Sequence, residues 1–139
     1  MSAIRKSGDQ VLHQTAKEVE MNADISWLID DMWASMYKYR GIGLAANQIG
    51  ELHRVIVVHA NGLKMGIINP AITKRYGGKV SSKEGCLSFP MRQVPMIRDK
   101  QIVVEGFDES WNPIKRKLKG LAAYCVQHEV DHLDGITIA

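Results

Sequence analysis

Near the end of the chain, the run CVQHEVDHLDG at residues 125–135 sets His128 and His132 four residues apart, with Glu129 between them. On a helix, positions i and i+4 share a face, so the two imidazoles can hold one cation while the carboxylate works as acid and base. A catalytic metal takes three protein ligands and keeps a fourth position open. Metal-dependent peptidases with this pattern commonly draw the third ligand from downstream, yet only seven residues follow His132.

The third ligand is therefore sought upstream. Cys125 lies three residues before His128, on nearly the same helical face. Its short side chain leans towards the helix N-terminus, away from a metal held a turn further on. Cys125 reads instead as a small buried or pocket-lining residue. His13, His53 and His59 stand in no motif, and His59, inside an apolar strand, reads as a core or edge histidine. Cys86 remains, in KEGCLSFP. Gly85 lets the backbone approach closely, and Leu87 follows with an N–H to offer. A lone cysteine is more often a buried hydrophobe. Beside a histidine pair that lacks a partner, Cys86 is the best ligand available.

The elements that must position these groups can be read from patterning. Residues 24–40 form a helix with Ile25, Ile29, Met32 and Met36 on one side, Asp24 as N-cap and Gly41 beyond the end. Runs 54–60 and 64–70 are strands joined by an Asn61-Gly62 hairpin turn. Residues 71–76 and 79–82 continue as strand across Gly77-Gly78, and 101–109 with 113–120 make a second hairpin around SWN. Gly120 opens a last helix over 121–133, closed by Gly135. A helix, a series of strands and a final helix indicate an α+β fold.

Bulk properties set the frame. A chain of 139 residues with 45% apolar and 24% charged side chains suits one domain spanning 1–139. Two cysteines make no disulfide framework, and no signal-like or membrane-length apolar run is present, so the cytoplasm is expected. A net charge of +3 is too small to call for a nucleic-acid partner. The basic run IKRKLKG alternates like a strand with one solvated face.

Three stretches, GIGLAANQIG (41–50), EGCLS (84–88) and QHEVDHLDG (127–135), resemble in order and approximate spacing the signature motifs of peptide deformylases. The segment VLHQTAKEV (11–19) is similar to the family's N-terminal region, with Gln10 where proline is usual. The resemblance implies antiparallel or mixed sheets packed around a central C-terminal metal-binding helix, with one N-terminal helix. It also implies removal of the formyl group from the N-terminal formyl-methionine of nascent chains. Cys86, His128 and His132 would hold one divalent metal, iron(II) natively, with zinc, nickel or cobalt as substitutes. Glu129 would act as general base and then general acid, while the Gln48 amide and the Leu87 backbone N–H stabilise the oxyanion.

Ile42 and Gly43 would lie beside the peptide, and Ile42, Leu121, Tyr124 and Cys125 would line the methionine pocket. Tyr124 is bulkier than the aliphatic residue common there. Glu84 and Arg98 could pair behind Cys86, Asp131 could orient a histidine or face solvent, and Arg92 stands near the presumed entrance. The family's usual C-terminal ribosome anchor has no counterpart in the four residues after Gly135, so ribosome contact by that route is not expected. Two alternatives remain at this stage: another H-E-x-x-H zinc peptidase or amidase, and a non-catalytic binding protein of the same fold.

Overall fold

The run Val55–Ala60 forms a strand (β2) whose residues Val55–Val58 are all buried, because it has apolar layers on both faces. Ile56, Val58 and Ala60 join one core cluster, whereas Val55 and Val57 join another. Side chains alternate across a strand, so β2 lies between two packed layers. The computed structural model describes residues 2–138, with Met91 through its backbone alone.

The element order is helix α1 (Ser26–Lys38), strand β1 (Gly43–Ala45), a 3₁₀ turn (Ala46–Ile49), β2, β3 (Leu63–Cys86), β4 (Phe89–Phe107), β5 (Pro113–Lys119) and helix α2 (Gly120–Leu133). The strands pair in sequence order, each antiparallel to the next. Such a meander needs only hairpin connections, in keeping with the α+β reading. Leu28, Ile29, Met32 and Met36 of α1 pack on Val55, Val57 and Ile68. Ala123, Val126, Val130 and Leu133 of α2 pack in the other cluster, with Ile56, Val58, Ile102, Val104 and Leu118.

Helix α1 is shorter than its periodicity indicated. Asp24 lies one residue before the cap position, and its carboxylate accepts hydrogen bonds from the backbone N–H and hydroxyl of Ser26. At Asn61-Gly62 both residues have positive φ, 52° and 77°, as a two-residue type I′ hairpin requires. The separate runs 64–70, 71–76 and 79–82 are one 24-residue strand, carried across Gly77-Gly78 by register shifts against β4. Residues 89–100, unassigned from sequence, are the first half of β4. Helix α2 ends with bonds from the Gly135 N–H to the His132 carbonyl and from the Ile136 N–H to the Asp131 carbonyl, a Schellman closure with Gly135 at φ 74°.

Candidate functional site

Three elements meet over α2. Cys86 is the last residue of β3, and Leu87-Ser88 is the turn into β4, with Cys86 paired to Phe89. Strand β1 and the 3₁₀ turn after it bring Gly43 and Gln48 to the same place. The Gln48 side chain ties these parts together: its Oε1 accepts from the Ala45 N–H at 2.9 Å, and its Nε2 donates to Cys86 Sγ at 3.4 Å and Ser88 Oγ at 3.2 Å. The neighbouring Asn47 donates from Nδ2 to the His132 carbonyl, fastening the last turn of α2.

Cys86 Sγ lies 3.2 Å from His132 Nε2, which lies 3.2 Å from His128 Nε2. All three potential ligand atoms fall within 4.8 Å of one another. His128 Nδ1 sits 2.8 Å from Glu84 Oε1, which keeps a proton on Nδ1 and turns Nε2 towards Cys86 and His132. One sulfur and two imidazole nitrogens converging in this way fit a borderline divalent cation, and among the described residues they are too few for a closed structural zinc site.

Glu84 is held in turn by Arg98, whose Nε and Nη2 donate at 2.9 and 2.7 Å; Arg98 Nη1 reaches Asp131 at 2.6 Å. The pair suggested by the sequence is therefore present, and Asp131 serves it rather than a histidine. Burial opposes charge on Glu84, but its hydrogen bonds to Arg98 and His128 outweigh that and hold the carboxyl at about 2. Burial also opposes charge on His128, yet the Glu129 carboxylate and the bonds to Cys86 and Glu84 push it up to about 10. His132 goes down to about 3, through its own burial and the charge on His128. The protein alone thus holds one proton more than two neutral imidazoles carry, and a cation must displace it.

Above this cluster opens a cleft of about 780 Å³. Ile42, Gly43, Gln48, Cys86, Leu87, Leu121, Tyr124, Cys125, His128 and Glu129 line it, with Arg92 also on its wall, and His132 lies fully buried beneath. Ile42 and Leu121 are 46% and 42% exposed, so the cleft offers apolar surface for a side chain to cover. Burial, reinforced by the charge of Glu129, pushes the Cys125 thiol up to about 12, which makes it a protonated wall residue as its helical position indicated.

Glu129 is buried on the floor, and its Oε1 has no hydrogen-bond partner among the described residues. Burial raises its carboxyl to about 7, against the opposing charge of His128. Gly43 makes room for it, since a Cβ there would lie 2.5 Å from Glu129 Oε2. His59, by contrast, is neither a core nor a sheet-edge residue: it lies exposed on β2, between β1 and β3, and is bonded through Nδ1 to the Tyr37 hydroxyl at 2.9 Å.

The polypeptide deformylase family profile matches residues 1–139. The chain belongs to the peptide deformylase family. A peptide deformylase of Pelotomaculum thermopropionicum is 46% identical over 134 residues, covering 96% of this chain and 86% of that one. Among solved structures, a deformylase from the Vibrio parahaemolyticus bacteriophage VP16T in complex with actinonin superposes with a TM-score of 0.96 at 47% identity, covering 99% of this chain and 100% of that one. A peptide deformylase from Acinetobacter baumannii with Met-Ala-Ser bound is similar at a TM-score of 0.91 and 29% identity, covering 99% and 95%.

This deformylase is a metal-dependent hydrolase that removes the N-formyl group from the formyl-methionine of nascent polypeptides, and the other zinc hydrolases and the binding module are not favoured. Among the described residues, no helix is long and apolar enough to cross a membrane. Sequence reasoning missed Asn47, Ser88 and Gln127. Each is a polar residue buried beside the site, and each acts on atoms far away in sequence.

Proposed function

We propose that Cys86, His128 and His132 hold one divalent cation, iron(II) in the cell, with nickel, cobalt or zinc able to replace it, and that Glu129 moves the proton in deformylation. The whole chain acts as one catalytic unit in this reading. The observation that carries it is the Glu129 carboxyl, buried on the cleft floor with one oxygen unpartnered and held at about 7. An acid–base group is most effective when its pKa lies near the working pH. When bound, the cation makes the attacking water more acidic and polarises the formyl group.

Glu129 takes a proton from the water as its oxygen joins the formyl carbon. It then gives that proton to the amine nitrogen as the carbon–nitrogen bond breaks, leaving formate and a free N-terminus. Negative charge that gathers on the formyl oxygen is met by Gln48 Nε2 and the Leu87 backbone N–H. Both are neutral donors that compete for no proton. The methionine side chain lies between Ile42, Leu121, Tyr124 and Cys125, with the peptide alongside Gly43. The Met-Ala-Ser held by the Acinetobacter relative supports a methionine-first peptide in this cleft. Nascent chains make the ribosome the natural neighbour, and the cytoplasm of a bacterium or phage-infected host the compartment.

The test is formate release from a short N-formyl-methionyl peptide, using protein loaded anaerobically with iron(II) or nickel. Loss of a general acid–base group costs about 10²–10⁴-fold, so Glu129→Gln should lose that much in kcat while keeping its metal. Folded, metal-replete parent protein that released no formate would overturn the reading, as would an unimpaired Glu129→Gln.

A further inference from the structure

We propose that Gln127, which neither lines the cleft nor belongs to the ligand set, is the positioning residue that fixes helix α2 against strand β4 and so sets both histidines within reach of Cys86. The inference rests on the metal-centre reading above. Gln127 is 2% exposed, and its amide grips a single residue of β4: the Asp99 N–H donates to Oε1 at 2.8 Å, and Nε2 donates to the Asp99 carbonyl at 2.8 Å. This is the double exchange by which a hydrogen-bonded residue pair joins two antiparallel strands, supplied here by a side chain. Nε2 also donates to the Ala123 carbonyl at 3.1 Å, one turn back along α2. The buried amide is thereby satisfied on both ends.

The grip falls beside the residue that matters most behind the metal site. Arg98 precedes Asp99 and bonds both Asp131 and Glu84, and Glu84 holds His128 Nδ1. Gln127 and Asp131 are i and i+4, so α2 is fastened to consecutive residues of β4 at two points one helical turn apart. Ala123, Val126 and Val130 add apolar contacts with the sheet, beside the polar ones that Glu84 makes to His128 and Arg54 makes to the Leu133 carbonyl. Apolar contacts are non-directional and resist axial sliding weakly, whereas metal ligands must sit within about 0.2 Å of their place. The paired hydrogen bonds of Gln127 to the β4 backbone, together with the side-chain bonds of Arg98 and Glu84, supply the register that apolar packing does not.

Gln127→Met keeps most of the volume and removes all three bonds. The full-length protein would be titrated with cobalt(II), following the thiolate-to-metal absorption band, beside the thermal midpoint of the metal-free protein and kcat and KM on a formyl peptide. The expected result is about 10–100-fold weaker cobalt binding, an altered band, and a lower kcat with little change in KM. A lowered midpoint with unchanged affinity and band, measured where both proteins are folded, would assign Gln127 a purely structural role and overturn the proposal. Should Gln127→Met fail to fold, Gln127→Glu is judged on the same cobalt readout, since it keeps the acceptor for the Asp99 N–H and sets a second acceptor against its carbonyl. Cobalt binding is read without formate, so a parent protein that binds cobalt but does not deformylate would sink the proposed function and leave this inference to its own result.

Discussion

Two tight turns of the same sheet are built on opposite principles. The β2–β3 turn, Asn61-Gly62, has both residues at positive φ, and open space surrounds Gly62. Its local backbone chemistry is enough to fold it. The β3–β4 turn, Leu87-Ser88, has no glycine and no positive φ. It is held by Gln48 from the 3₁₀ turn after β1, with Ser88 fully buried, and it presents Cys86 to α2. A turn that only reverses the chain can be specified by two residues. A turn that must place a sulfur within bonding distance of two imidazoles is specified by partners distant in sequence, and its precision is lost when they are changed.

The widest separation between the two turns should come from Gln48→Leu. This change removes the donor to Cys86 Sγ and Ser88 Oγ and the acceptor for the Ala45 N–H, and leaves buried polar atoms unpaired. It also takes away the side-chain donor to the formyl oxygen, worth about 10²–10³-fold in kcat in comparable sites. Steady-state kinetics with a formyl peptide should show at least that loss. A variant retaining most of its kcat would show that the ligand turn holds its shape unaided and that Gln48 touches no reacting atom.

A smaller effect is expected one step behind the cysteine. Glu84 has its carboxyl depressed from 4.5 to about 2, chiefly by Arg98 and His128 working against its burial. A depressed carboxylate adds stability above its unfolded pKa and loses it as the pH falls through the folded one. For Glu84 that contribution is about 3 kcal/mol at neutral pH. Urea unfolding of the metal-free protein should therefore find Glu84→Gln less stable by about that amount at pH 7. The gap should shrink to less than about half by pH 3, as the parent's carboxylate protonates on unfolding. A gap that does not change with pH would mean the loss comes from packing rather than from the ion pair.

These partners also mark what the sequence made legible. His128, Glu129 and His132 could be assigned because helical periodicity alone places them, and Cys86 because a two-histidine helix lacks a ligand. The first half of β4 was not legible. Pro90 and Pro95 interrupt it, and Ile97 is 68% exposed, so no inward–outward alternation appears. It becomes a strand only because β3 pairs with it. Gln127, Asn47 and Ser88 stand inside the three signature stretches, but periodicity assigns them no role, since their meaning lies in backbone carbonyls, N–H groups and a side-chain amide 28, 85 and 40 residues away. Asp131 was left open between histidine and solvent because the strand that presents Arg98 was the unread one.

The smallest expected effect completes the comparison from the other side. At Gly62 a Cβ meets nothing within 4 Å, so Gly62→Ala introduces no clash and only asks alanine to hold φ 77°. An alanine in the left-handed region costs about 1 kcal/mol. For a chain of this size that lowers the thermal midpoint by about 4 °C. Because the turn touches nothing in the cleft, cobalt affinity and kcat should stay at parent values. If Gly62→Ala weakened metal binding, strain in one hairpin would be reaching the other along β3, and the two turns could no longer be treated as independent.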